Sequence, residues 1–463
     1  MDLNNSIIDA RCLMPDDSER LKRLLQIYRA HAAANEMKRR YYEGHVRLSE
    51  VNLGLALPKG MANLEIGCSW GEKCVDVLAS RSMFDGFVGT DGESVEVLDR
   101  MVSDNRLLAE YMKACRDELK YGCTFATLSA DDEIGCKIRF HSPETAAAEW
   151  DGEKGRIGCG FAIIDTVRDE KDKSWKASHV NLYTEDAVIV LTRVDNIWFA
   201  EYLANAVGRP LMEPLIWNAT SAKPFGRSRI KEPIRRLIQG YVRTMANATI
   251  GLEFSTSPQK YLLGVTDDQY DVIVNDKFRQ YVGNILAATT NPETGEKPTF
   301  GQLQQGTIAP HVEMIRVLAT QFSAATGLPV TDVGIVNDAN PTSSDAIEAQ
   351  TKTLVGLAEQ LNAGNGDALY QIALMAQAIA NKTPISQLPE ESRDIIAHFK
   401  NPAMPSVAVT ADAAIKIASA RPGFAGTDTF LEMIGFSQAD IRRIKAQEEF
   451  QRGLDTLGEL DLT

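Results

Sequence analysis

No run in this chain approaches the ~20 consecutive apolar residues that a membrane-spanning helix needs. The start, Met1 to Asp9, shows neither the basic residues nor the apolar stretch of a secretory signal. The expectation is a protein made in the cytoplasm, with no membrane partner. Its seven cysteines, Cys12, Cys68, Cys74, Cys115, Cys123, Cys136 and Cys159, are odd in number and contain no CxxC pair. That excludes a closed disulfide framework and a paired-thiolate zinc site, so they read as reduced core thiols. The six histidines, His31, His45, His141, His179, His311 and His398, are scattered, and none lies in HExxH or beside a GxSxG turn. No metal and no catalytic triad are expected from them. A phosphate loop is missing too, because Gly67 to Lys73 has the wrong spacing and Cys74 stands where Ser or Thr is required. Internal repeats and low-complexity tracts are likewise absent.

What is present is ordinary globular composition, with 44% hydrophobic and 24% charged residues in 463. That length implies at least two cores or an elongated subunit of several parts. Lysine plus arginine total 49 against 63 acids, a net charge of −14, which argues against coating nucleic acid with the whole surface. A local patch runs the other way. Residues 221–250 hold Lys223, Arg227, Arg229, Lys231, Arg235, Arg236 and Arg243 against the single acid Glu232, a net of +6. In one reading these side chains meet phosphate or an acidic neighbouring subunit. In the other they form a solvated helix face with Glu232 pairing locally.

Along the chain, Leu21, Leu24, Leu25 and Tyr28 recur at helical spacing within residues 17–48, and a glycine, Gly44, comes at the end. Residues 120–195 change to short β-prone runs separated by charged turns, which predicts an antiparallel sheet. Helical periodicity returns with Ile234, Leu237, Ile238, Tyr241, Val242 and Met245, with Pro233 in the first turn and a stop at Gly251. A second helix is expected from Pro310 to Gly327, carrying Val312, Ile315, Ala319 and Phe322 on one stripe. After a polar loop, Ser344 caps the next helix in this reading, and the C-terminal hundred residues are helical, with an extended interruption from Pro402 to Val409.

The one enzyme-like motif is Glu65-Ile66-Gly67-Cys68-Ser69-Trp70-Gly71, with Asp91 further along. It is similar to the glycine loop and ribose-binding acid of S-adenosylmethionine-dependent methyltransferases. Ser69 replaces the central glycine, however, and Trp70 puts a ring where close approach is needed. The competing reading is a helix starting near Ser69 with Cys74, Val75, Val77 and Leu78 facing a core.

The order of segments resembles the portal proteins of long-tailed bacteriophages. Gly226-Arg227-Ser228-Arg229-Ile230 before the helix, Ser257-Pro258-Gln259-Lys260-Tyr261, Thr326-Gly327-Leu328-Pro329 and Asn340-Pro341-Thr342-Ser343-Ser344 carry the likeness, with Pro405-Ser406-Val407 and Tyr41-Tyr42-Glu43-Gly44 at its two ends. The resemblance implies an α+β subunit with a wing over 1–225, a first stem helix over 226–252, a clip over 253–308 and a second stem helix over 309–330. A tunnel loop over 331–345 and a long helix, remaining wing and crown over 346–463 complete it. The glycine motif becomes a wing helix ending near Met83 to Phe87. The function implied by the resemblance is a non-enzymatic ring of about twelve subunits at one capsid vertex, without cofactor. Its implied partners are double-stranded DNA in the channel, the terminase large subunit, a head-completion or adaptor protein, and the major capsid and scaffolding proteins. Asn337, Asp338, Asn340, Thr342 and Ser343 would border the DNA. Arg227, Arg229, Lys231, Arg235, Arg236 and Arg243 would brace neighbouring subunits or face phosphate.

Overall fold

The computed structural model describes residues 12–47, 65–89, 96–168, 173–195, 197–256, 260–263, 295, 297, 299–302, 307–334, 344–403, 407–436 and 438–460. Helix α1 (Pro15–Tyr42) is followed by the two-residue strands β1 (Val46–Arg47) and β2 (Glu65–Ile66), helix α2 (Trp70–Ala79), strand β3 (Phe84–Gly89), and helices α3 (Glu96–Asp104) and α4 (Leu107–Tyr121). A run of strands comes next: β4 (Cys123–Asp131), β5 (Gly135–His141), β6 (Ala146–Asp151), β7 (Arg156–Arg168), β8 (Trp175–Tyr183), β9 (Ala187–Val194), β10 (Ile197–Ala204) and β11 (Met212–Ile216). Helix α5 (Glu232–Thr256), strands β12 (Lys260–Leu263) and β13 (Thr299–Gln302), helices α6 (Ala309–Thr326) and α7 (Ser344–Asn381), strand β14 (Ile395–Phe399), and helices α8 (Val407–Ala420), α9 (Asp428–Ile434) and α10 (Gln438–Leu460) complete the described α-helices and strands. This is the mixed α+β architecture that the resemblance implies.

The chain divides into two units, one made of Met1–Gly44, Ser69–Arg235 and Ser323–Thr463, the other of His45–Cys68 and Arg236–Phe322. In the first, α1 begins with Pro15 and has Asp16 and Asp17 in its first turn and Arg39 and Arg40 in its last, the charge order a helix dipole favours. It lies across one face of a five-stranded antiparallel sheet of order β10-β9-β8-β7-β6. Leu21, Leu24, Leu25 and Tyr28 pack there on Phe161, Val180, Leu182, Leu191 and Trp198. Polar contacts fix both ends of the crossing. The Tyr202 hydroxyl of β10 accepts from Met14 N at 3.0 Å, and the Tyr28 hydroxyl donates to the Glu144 carbonyl, just before β6, at 2.8 Å.

The sheet's opposite face meets a second antiparallel sheet of order β11-β4-β5. Gly160 allows a tight contact between them, since a Cβ there would collide with the Met212 sulfur. Helices α4 and α7 pack on the second sheet. Between them Asn365 donates to the Tyr111 hydroxyl at 2.9 Å and to Glu118 Oε2 at 2.8 Å, while Ser82 and Tyr111 share a hydrogen bond of 2.7 Å. Burial changes along α7. Leu354, Ala358, Leu361 and Asn365 form a single buried stripe, whereas from Ala368 to Ile379 burial is nearly continuous around the helix.

In the second unit, the α5 portion from Arg236 onward buries Ile238, Val242 and Ala246, and the α6 portion up to Phe322 buries Leu318, Ala319 and Phe322. Gly240 lets these helices approach, because a Cβ would stand 3.1 Å from Leu318 Cδ2. Strands β1 and β2 pair antiparallel, as do β12 and β13.

Several boundaries differ from expectation. Helix α5 runs through Gly251 to Thr256, because a glycine at ordinary helical φ weakens a helix without stopping it. Helix α2 ends at Ala79, and Phe84 to Gly89 forms a strand instead of the end of that helix. The extended C-terminal interruption is β14, which pairs with β3 and places Phe399 against Phe84 and Tyr111 at 5.8 and 5.9 Å, while α8 already begins at Val407.

Candidate functional site

Both sequence motifs that suggested chemistry are placed by backbone packing. Ser69 stands at the N-cap of α2, with Cys74, Val75 and Leu78 buried beneath it and Val77 half-buried. A Cβ on Gly71 would collide with the Tyr41 carbonyl, so that glycine serves the approach of α2 to the end of α1. Trp70 is itself buried. The glycine loop of the methyltransferase reading is therefore a helix-packing device, and Asp91 lies outside the described residues.

The basic segment starts at another close approach. Gly122, at φ 112°, ends α4, and Gly226, at φ 67°, turns the chain beside it; a Cβ on Gly226 would collide with the Trp217 carbonyl. Trp217 N donates to the Gly122 carbonyl at 3.0 Å, Arg227 N to the Trp217 carbonyl at 3.0 Å and Arg229 N to the Leu119 carbonyl at 2.9 Å. The Ser228 hydroxyl donates to the Lys120 carbonyl at 2.5 Å and accepts from Ile230 N at 2.9 Å. Residues 226–230 are thus stitched to the end of α4 immediately before α5.

This stitching separates the cations that one charge run joined. Arg229, only 8% exposed, turns inward, donating Nε to the Cys74 carbonyl at 2.6 Å and Nη2 to the Thr326 carbonyl at 2.7 Å, with its guanidinium 5.7 Å from the Trp217 ring centre. Thr326 closes α6, where helix carbonyls lack intrahelical donors. Arg229 therefore ties segments within the subunit, a correction to its expected place on a contact surface. Arg236 and Arg243 belong to the second unit.

Lys223, Arg227, Lys231 and Arg235 instead gather in the first unit around a cleft of about 500 Å³. Its other walls are α1, through Ile27, His31, Asn35 and Lys38, and the sheet edge at Ala146 to Ala148 of β6. Lys38, which sequence spacing could not connect to the basic run, donates to the Tyr121 carbonyl at 2.8 Å and to Asn35 Oδ1 at 3.3 Å. Burial, reinforced by repulsion from Arg235, holds its ammonium pKa below the ordinary value. Arg235 donates to the Ile230 carbonyl at 2.9 Å. Among the described residues no carboxylate lines this cleft, while Pro143 and Phe225 give it apolar surface. A concentrated positive potential over an apolar floor selects an anionic group attached to an apolar body.

The expected channel-lining residues, Asn337, Asp338, Asn340, Thr342 and Ser343, lie outside the described residues, as does most of 253–308. Among the described residues, no group of His, Cys, Asp and Glu is arranged to hold a metal ion, and no helix is long and apolar enough to cross a membrane.

Residues 21–453 match the family described as phage portal protein, SPP1 Gp6-like. The chain belongs to that family. It is accordingly a portal protein of the virion, placed at the capsid's portal vertex where head and tail connect. Three solved structures are similar at low identity. The virion of a native gene transfer agent particle has 12% identity and a TM-score of 0.45, covering 79% of this chain and 89% of that one. The neck of the empty particle, computed with C6 symmetry, gives 12%, 0.43, 82% and 90% in the same order. The neck of the native particle, computed with C12 symmetry, gives 11%, 0.44, 79% and 89%. A search of curated proteins finds no match.

Proposed function

We propose that the chain assembles into a closed ring of about twelve copies around a DNA channel, since a head-to-tail interface forms a ring when its rotation closes. The observation that carries this reading is the family match, which runs from residue 21 to 453 and spans both α5 and α6. In this reading 226–252 and 309–330 are the stem helices, 253–308 is the clip, 331–345 the tunnel loop, 1–225 most of the wing, and 346–463 the long helix, the rest of the wing and the crown. The ring passes double-stranded DNA inward under the terminase large subunit and outward at ejection. A head-completion or adaptor protein binds once packaging ends, and major capsid and scaffolding proteins surround the ring. The subunit itself hydrolyses nothing, because the motor chemistry belongs to terminase.

The charge of −14 supports this role physically. A conduit crossed in both directions gains from weakly repulsive walls, whereas tight phosphate contacts would hold the DNA in place. Short polar side chains at Asn337, Asp338, Asn340, Thr342 and Ser343 suit such a lining, and Arg236 and Arg243 are assigned to subunit bracing or to a single phosphate-facing ring. The test is negative-stain electron microscopy of the purified protein with its mass in solution. Rings with a central hole are expected; compact particles of subunit mass under every assembly condition would reject the channel.

A further inference from the structure

The five-stranded sheet ends in two unlike edges. At one, β6 lines the basic cleft, where Lys38, Lys223, Arg227, Lys231 and Arg235 surround an apolar floor without a carboxylate among the described lining residues. At the other, β10 is the terminal strand, and its residues alternate strictly between faces. Trp198, Ala200 and Tyr202 turn toward α1, whereas Ile197, Phe199, Glu201 and Leu203 point away from it. On that outer face Ile197 is 60%, Phe199 56% and Leu203 46% exposed, and Val194, directly opposite Ile197 on β9, is 53% exposed. Around Gly160 of β7 the same face is covered by β11, and besides Val167 near the end of β7, the large exposed apolar residues of this face gather at the β10 edge. An exposed strand edge with alternating large apolar residues is unstable against association unless something covers it.

Charge identifies the cover. Residues 195–204 carry Asp195 and Glu201 and no lysine or arginine, the complement of the cleft at the opposite edge. We propose that the β10 edge of one subunit docks into the basic cleft beside β6 of the next, making this sheet the repeating contact of the ring. The inference rests on the ring reading and deepens it by naming the two surfaces that meet. Because they are different patches on opposite edges, the contact is heterologous and repeats head to tail, the geometry that closes into a ring. Phe199 and Leu203 cover the apolar floor, while Asp195 and Glu201 meet the cations at its rim. Duplex DNA, a convex rod, matches neither the enclosed volume nor the apolar floor.

The separation of the edges makes the test unambiguous. Four strand spacings place β10 about 19 Å from β6 within one sheet. A bismaleimide shorter than that links the two edges only between subunits. In full-length protein carrying Cys12→Ser, whose other cysteines are buried, Glu201→Cys combined with Lys223→Cys should yield a covalent ladder on denaturing gels, and each single variant should remain at subunit mass. Phe199→Cys with Arg227→Cys is a second pair should the first disturb assembly. Closed rings in micrographs without a ladder from either pair would overturn this contact and leave the ring standing. Failure of the unsubstituted protein to form rings would remove both. Protection of the Lys223→Cys thiol by duplex DNA, without cross-linking in rings, would assign the cleft to phosphate instead.

Discussion

Arg229 is accommodated in a buried setting by presenting its planar fork to two main-chain carbonyls and its face to Trp217. Replacing it with methionine leaves the Cys74 and Thr326 carbonyls without that donor and should cost about 3 kcal/mol in urea unfolding, the scale of losing buried charge-assisted hydrogen bonds. Lysine should restore less than half, since an ammonium cannot span both carbonyls. Glu118 behaves oppositely, with burial raising its carboxyl pKa to about 8 from an ordinary 4.5. Between those values the folded form holds a proton that the unfolded form has released, so this group's contribution to stability falls as pH rises from about 4.5 to 8 and levels off above. Glu118→Gln, which keeps the acceptor for Asn365, should flatten that part of the profile relative to the unsubstituted protein in unfolding midpoints measured across this range. An unchanged slope would show that Glu118 is ionised in the folded state. Neither role was legible in the sequence. Arg229 is one cation in a run of seven, and nothing local distinguishes an inward guanidinium from an outward one. Lys38 joins the cleft only because α1 crosses the whole sheet.

At the scale of elements, periodicity was legible wherever one face is buried and the other wet. It located α1, the antiparallel strands and the α5 and α6 helices from alternation or helical spacing alone. It failed where a residue's meaning depends on a distant partner. Gly251 reads as a stop but meets nothing within 4 Å and sits inside α5, whereas Gly240, unremarked in the sequence, is where α5 meets Leu318. The two glycines should separate by experiment. Gly251→Ala should raise stability in urea by roughly 0.5–1 kcal/mol, by removing unfolded-state freedom. Gly240→Leu should lower it by about 1–3 kcal/mol through overpacking. The strand β14 was missed for the same reason as Gly240. Its five residues carry little signal until β3, more than 300 residues earlier in the chain, supplies the pairing edge.

On the proposed reading, assembly and DNA passage are separable for the whole molecule, because the basic cleft and the 337–344 segment, to which they are assigned, are different parts of the chain. Deleting 337–344 should leave rings of unchanged mass while reducing packaged DNA in a reconstituted packaging assay; full packaging would remove that segment from the channel. The family resemblance was readable from segment order, whereas the cleft required the fold, since its five cations come from two distant stretches. The two-part burial of α7 also governs how the molecule can change over generations. From Ala349 to Asn365 the helix buries one stripe and leaves its other side chains exposed or half-buried, so within the subunit that stretch tolerates polar substitutions more readily. Its second half, enclosed between Ala368 and Ile379, accepts change only when neighbours change with it. The same helix is therefore expected to change at two rates, faster from Ala349 to Asn365 and slower from Ala368 to Ile379.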